Sequence, residues 1–349
     1  MCNIAGYAGT RLAAPILIEM MKKQEGFLGG YYTGIATIHE GKIYYAKITG
    51  DTDRLVALTN AALLPGTVGI IHSRSKSGGG DKWAHPFVAP DENGDPYLAY
   101  VANGAAGFFN TDENKAKNKL LAESLMDSGY TLDSLDTIED SIYTTVKGGM
   151  SVHMSDVMCQ LVGRNMKERG LSAPVAMKDA FLERPGEIVG LLLALEDPDA
   201  IAYARYNMPM FVAFSSHGAY LSSTPLAMPA DRGEHTLLPV GTYGKVYKNH
   251  FECHDMGALP ASISQNNARV RRDVFCIVEK MLSERKYEMR EINLAAMEAF
   301  PNTDLRTVAS VTYDVLTQLD AEGRLDIEVR EVEGAFPELT APKFFMSLK

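Results

Sequence analysis

Apolar residues along the chain fall into two spacings. Short, nearly continuous apolar runs predict strands at Asn3–Ala8, Thr33–His39, Lys42–Ile48, Val68–His72 and Pro96–Ala102. Glu40-Gly41 has the length and the glycine of a hairpin connection. Ile16, Leu17, Met20 and Met21 recur at helical spacing, which predicts a helix over Pro15–Glu25 with Gly26 as its stop. A helical block follows, with candidates at Glu113–Asp127, Ile138–Lys147, Asp156–Arg169 and Pro174–Leu182. Strands return at Ile188–Leu195, Ala200–Arg205, Pro209–Phe214 and Ala219–Ser222. Strands that flank a helical middle suit sheets packed on each other with helices on the outer faces.

The segment Pro260–Asn267 is small and polar and reads as a linker. Beyond it the pattern changes. Helices are expected at Arg271–Glu284, Met289–Phe300 and Asp304–Glu322, the last capped by Asn302 or Thr303 and ended by Gly323. Strand-like Leu325–Val332 and Lys343–Leu348 flank a turn at Gly334 and Pro337. Three helices followed by a hairpin is the order of a winged helix, and a winged helix can read DNA. The charge of this region argues otherwise, since Arg269–Lys349 holds 12 basic and 15 acidic residues. A packing or dimerisation module is favoured, and a nucleic-acid partner is not supported.

Composition narrows the class. The 349 residues are 46% hydrophobic and 22% charged, as in a folded soluble protein. No apolar stretch is long enough to span a membrane. The formal charge of −10 also counts against a phosphate-binding face. Cys2, Cys159, Cys253 and Cys276 are widely separated and form neither a zinc site nor a disulfide scaffold. The N-terminus lacks a secretory pattern, so a reducing cytoplasm is expected.

Candidate chemistry begins at Cys2. Removal of Met1 would leave a thiol beside its own α-amine, a nucleophile and a base on one residue. Arg74, in His72-Ser73-Arg74-Ser75-Lys76-Ser77-Gly78, offers a planar fork for a carboxylate. Asn103-Gly104 can supply an amide and a backbone N–H to an oxyanion, although Asn-Gly alone most often marks a tight turn. Ala84-His85-Pro86 adds a histidine.

Together these segments resemble the class II, N-terminal-nucleophile glutamine amidotransferases, and in particular the glutaminase domain of glutamine–fructose-6-phosphate amidotransferases. The family's opening Cys-Gly-Ile-x-Gly-Tyr reads Cys2-Asn3-Ile4-Ala5-Gly6-Tyr7 here, and its His-Thr-Arg loop reads His72-Ser73-Arg74. Its Asn-Ala-His-Pro and His-Asn-Gly read Trp83-Ala84-His85-Pro86 and Ala102-Asn103-Gly104. The likeness covers roughly residues 2–255. It implies a four-layer αββα sandwich over residues 2–258, then a linker at 259–269 and a small winged-helix-like domain at 270–349.

The resemblance also implies roles. Cys2 attacks the carboxamide of L-glutamine. Asn103 and Gly104 hold the oxyanion, and Arg74 binds the α-carboxylate. Asp136, or its rival Asp133, binds the α-ammonium, while Ser77 and His85 line or orient the pocket. No metal or cofactor is called for. Departures are equally visible. Ser75 stands where the family has a tryptophan, and Gly78-Gly79-Gly80 predicts a mobile loop. The residues after about 260 are too few for two sugar-isomerase domains, so an ammonia-accepting synthase subunit is an expected partner. A homodimer is a further expectation. The competing readings are a glutamine-sensing regulator whose tail binds DNA or protein, and a structural partner that has kept only the fold.

Overall fold

The computed structural model describes residues 2–138, 143–257, 268–300 and 305–349. The chain opens with β1 (Asn3–Gly9), α1 (Ala13–Lys22) and the short α2 (Glu25–Leu28). The hairpin β2 (Tyr32–His39) and β3 (Lys42–Thr49) follows, then α3 (Thr52–Leu58), β4 (Val68–Arg74), β5 (Phe87–Pro90) and β6 (Pro96–Ala105). The middle holds α4 (Asp112–Asp127), β7 (Thr144–Thr145), β8 (Ser151–Val152), α5 (Met154–Arg169) and α6 (Ala173–Glu183). Strands resume as β9 (Glu187–Ala194), β10 (Ile201–Arg205), β11 (Phe211–Ser215), β12 (Gly218–Ser222), β13 (His235–Leu237), β14 (Thr242–Val246) and β15 (His254–Asp255). The tail comprises α7 (Ala268–Glu284), β16 (Tyr287–Glu288), α8 (Met289–Glu298), α9 (Leu305–Ala321), β17 (Leu325–Glu333) and β18 (Thr340–Leu348).

Two large antiparallel sheets result, a seven-stranded one ordered β13-β11-β12-β1-β4-β2-β3 and a six-stranded one ordered β15-β14-β10-β9-β6-β5. Their inner faces share one apolar layer that includes Ile4, Ile70, Val101, Leu191, Ile201 and Leu221. The alternation of a strand decides which residues enter it. Ile4 and Ala8 of β1, Val68 and Ile70 of β4, and Ala99 and Val101 of β6 all point inward. Extending each pattern to the strand end carries Cys2, His72, Arg74 and Asn103 to this same interlayer face. That parity is the structural origin of the site.

Helices cover both outer faces. α5 and α6 bury Val157, Leu161, Ala176 and Met177 against the six-stranded sheet. α1 buries Leu17, Met20 and Met21 against the seven-stranded one, and the tail joins the same core through Val274, Val278, Ile292, Val315, Leu319 and Met346. Phe344 packs edge-on to Phe27 at 5.0 Å between ring centroids. A Cβ at Gly26 would sit 2.2 Å from the Phe344 ring. Gly26 is therefore no helix stop. α1 ends at Lys22, and Gly26 lies inside α2 because it seats a ring from the tail.

Other expectations shift as well. The helix expected at Ile138–Lys147 is replaced, where it is described, by β7, whose β-branched Thr144-Thr145 pairs with β8. The expected linker residues Pro260–Asn267 and the caps Asn302 and Thr303 lie outside the described residues, and α7 begins at Ala268. α8 is capped by the reciprocal pair Glu288 and Glu291, a device absent from the sequence reading. Among the described residues no helix is long and apolar enough to cross a membrane.

Candidate active site

Cys2 lies one residue before β1, partly exposed on the wall of an open cavity of about 720 Å³. Its backbone nitrogen donates to Asn103 Oδ1 at 2.7 Å. That bond consumes the acceptor of the Asn103 amide and leaves its NH₂ to donate elsewhere. Cys2 Sγ is 3.9 Å from Ser75 Oγ, so the serine in place of the family's tryptophan sits beside the thiol.

His72, absent from the expected site residues, is the missed member. Its Nε2 bonds the Ala102 carbonyl at 3.0 Å, which anchors the ring across the two sheets. Burial by itself raises the Cys2 thiol. The hydrogen-bonding and charge of the His72 imidazole, with the amino-terminal charge, outweigh that and lower it from 9.0 to about 6. His72 Nδ1 has no other hydrogen-bond partner among the described residues. The signal for His72 was present in the period-two pattern of β4, which places it on the Cys2 face.

His85 lines the cavity but does not touch it alone. Its ring stacks on His72 at 3.8 Å and meets His153 edge-on at 5.1 Å. Burial, then the charges of His72 and His153, hold His85 well below the usual histidine range. It is thus a neutral wall that fixes the His72 ring.

Arg74 is fully buried, and its guanidinium lies 4.4 Å from the Tyr32 ring centroid. Its fork donates to the carbonyls of Trp83 (3.1 Å) and Gly78 (2.8 Å) and to the Tyr143 hydroxyl (2.8 Å). Among the described residues no carboxylate pairs with it. The three-glycine loop, expected to be loose, is held by that Gly78 bond and by Trp83, whose ring leaves no room for a side chain at Gly79. Ser77 lines the cavity and donates to the Ser75 carbonyl at 3.1 Å.

Gly104 also lines the cavity, with φ at +139° and the backbone of Glu187 2.2 Å from where a Cβ would stand. Only glycine fits there. The structure thus brings Cys2, Arg74, Ser77, His85 and Gly104 to one cavity, with Asn103 bonded to Cys2 at its edge. It does not bring Asp136. That residue is exposed, exchanges backbone bonds with Ser151, and turns its carboxylate to the Thr137 N–H. Asp133 is exposed too and lies outside the cavity wall. The pairing with Ser151 fixes the backbone there, and a single sequence gives no sign of it.

Comparison with known proteins follows this geometry. No family model matches the chain. In fold, it superimposes on glutamine phosphoribosylpyrophosphate amidotransferase from B. subtilis, solved with ADP and GMP, with a TM-score of 0.59. The match covers 86% of this chain and 64% of that one at 14% identity, so it speaks for fold alone. The fold is that of the N-terminal-nucleophile glutamine amidotransferases.

In sequence, the relatives are glutamine–fructose-6-phosphate aminotransferases (isomerizing). The one from Pyrococcus horikoshii is 28% identical over 262 residues, 73% of this chain and 38% of the relative. The one from Agrobacterium fabrum is 25% identical over 317 residues, 88% of this chain and 46% of the relative. The chain is a homologue of these class II amidotransferases and spans less than half their length.

Proposed function

We propose that the protein hydrolyses the side-chain amide of glutamine through a Cys2 thioester. The observation that carries this reading is the Cys2 thiol, held near pKa 6 beside His72 on an open cavity, with its own nitrogen bonded to Asn103. At neutral pH such a thiol is mostly thiolate. Sulfur attacks the amide carbon, and the carbonyl π pair moves onto oxygen. The Asn103 NH₂ and the Gly104 N–H are the donors for that oxyanion. Collapse re-forms the carbonyl and breaks the C–N bond, and a proton delivered to nitrogen lets ammonia leave. Water then attacks the thioester, releasing glutamate and returning the proton and thiol.

Removal of Met1 turns the nitrogen already on Asn103 Oδ1 into an α-amine placed to carry the proton between these steps. Arg74, a buried cation without a carboxylate partner among the described residues, suits the substrate's α-carboxylate. Asp136 has no part in this scheme. Ammonia goes to an acceptor handled by another domain or subunit, as in a glutamine-dependent amidotransferase.

The order helix, strand, helix, helix, strand, strand supports a winged-helix-like assignment for the tail. DNA reading by its third helix is disfavoured. Within α9, Val308–Tyr313 and Val315–Thr317 are buried. Arg205 reaches Ser310 at 3.3 Å, and Asp314 pairs with Arg271 at 2.7 Å. A packing role fits those contacts better.

The test is glutamate release from glutamine by purified protein whose N-terminus is checked by mass spectrometry, with Cys2→Ala alongside. Loss of release in the variant is expected. Tight glutamine binding without any turnover by the processed protein would transfer the case to a glutamine sensor.

A further inference from the structure

The cavity is charged in one sense only. Arg74, Lys115, Lys119 and Arg184 line it, and among the described residues no aspartate or glutamate does. Lys115 is partly neutralised by Asp112 at 3.1 Å. Arg184 is not neutralised at all. It is 8% exposed, its Nε has no hydrogen-bond partner, and no carboxylate among the described residues pairs with it. The adjacent Tyr100 hydroxyl is buried and equally without a partner. Gly190 on β9 makes the space for the Tyr100 ring, because a Cβ there would lie 2.6 Å from it.

Two buried donors without acceptors are costly to fold around. A cation that stays charged in a partly dry site needs a counter-charge, and a hydroxyl needs an oxygen. Burial lowers Arg184 to about 10, so it remains a cation at neutral pH. Tyr100 and Ala102 lie on the face of β6 that meets the helices, whereas Asn103 belongs to the interlayer face. Tyr100 and the arginine beside it therefore meet the cavity on the helix side of β6, and Cys2, bonded to Asn103, meets it from between the sheets. The cavity volume is in the range that holds small-molecule ligands larger than one amino acid.

We propose that Arg184 and Tyr100, with Lys119 at the rim, form a second anion subsite in the Cys2 cavity, which takes a carboxylate or phosphate group of a ligand bound beside the amide. The subsite goes beyond glutamine hydrolysis and is measured by binding, not turnover. A failure here leaves the thioester reading untouched, and a failure of that reading leaves the subsite untouched.

The experiment uses the full chain in an anion-poor buffer, with inorganic phosphate and glutarate as separate probes. Melting temperature and calorimetric titration are the readouts. At least one probe binds saturably and raises the melting temperature of the wild type and of Cys2→Ala. Arg184→Met weakens that binding at least tenfold, about 1.4 kcal/mol, and melts no lower than wild type without the probe, because it removes an unpaired buried charge. Arg184→Lys retains part of the affinity, and Tyr100→Phe loses severalfold. Phosphate-selective and glutarate-selective binding identify the two sources of the anion. No saturable binding of either probe by wild type overturns the subsite, and so does unchanged binding in Arg184→Met. Should that variant not fold, unchanged binding in both Tyr100→Phe and Arg184→Lys has the same force.

Discussion

Removing the His72 imidazole tests the heart of the site. The thiol of Cys2 falls from 9.0 to about 6 against a burial effect that pushes the other way. That net fall is worth about 4 kcal/mol of preference for the thiolate, and His72 supplies the larger share of it. Without the imidazole, burial dominates, and the midpoint should climb to 9 or above. The assay is alkylation by iodoacetamide across pH, followed by mass spectrometry of the Cys2 peptide. Cys253 and Cys276, both free and exposed, are alkylated in the same tube and check the reagent.

The rate at one pH understates the effect, because a thiolate of lower pKa is also a weaker nucleophile. Combining thiolate fraction with that penalty, wild type should react about twentyfold faster than His72→Ala at pH 6 but only about fivefold faster at pH 7. The midpoint is therefore the quantity to read. His72→Phe keeps a ring against His85 and removes both nitrogens, so it should shift the midpoint as His72→Ala does. A wild-type Cys2 midpoint at 9.0 or above would refute the reasoning. So would a midpoint that stays near 6 in both variants while circular dichroism shows them folded.

Three further outcomes are expected. Gly104→Ala meets the Glu187 backbone at 2.2 Å and forces a positive φ on a residue with a side chain; it should cost about 2–3 kcal/mol in a urea melt and abolish glutamate release, and a wild-type melt with full release would remove Gly104 from the oxyanion hole. Burial raises the Glu25 carboxyl from 4.5 to about 8, against hydrogen bonds from Thr52. The native state then holds a proton that the unfolded chain has lost, so stability falls as pH rises from 4.5 to 8; Glu25→Gln should flatten a loss of roughly 4 kcal/mol, and equal slopes for the two proteins in denaturant titrations at pH 5 and pH 8.5 would contradict the burial argument. Asp136→Ala should change the glutamine KM less than twofold, since that residue does not line the cavity and its carboxylate accepts from the Thr137 N–H; a KM raised tenfold with unchanged kcat would return Asp136 to the site.

The sequence by itself determined most local elements and pointed to Cys2 as the candidate nucleophile. The run of helix-forming residues placed α4, α5 and α6 within a few residues, and continuous apolar runs did the same for most strands. Cys2, Arg74 and Asn103-Gly104 stood out because each lies at the end of an apolar run or at the start of the chain. Only the tertiary structure decided how they combine. The period-two pattern of β4 gives the face of His72, but only the pairing of β1 with β4 brings that face to the Cys2 thiol, 70 residues away in the chain. Gly26 looked like a stop and is a seat for Phe344, since its neighbour comes from the far end of the chain. Asp136 matched a motif loosely, yet backbone pairing with Ser151 carries it to the surface. Arg184 carried no motif at all. Its meaning comes from its burial without a carboxylate beside it among the described residues, and burial is a property of the fold rather than of the residue.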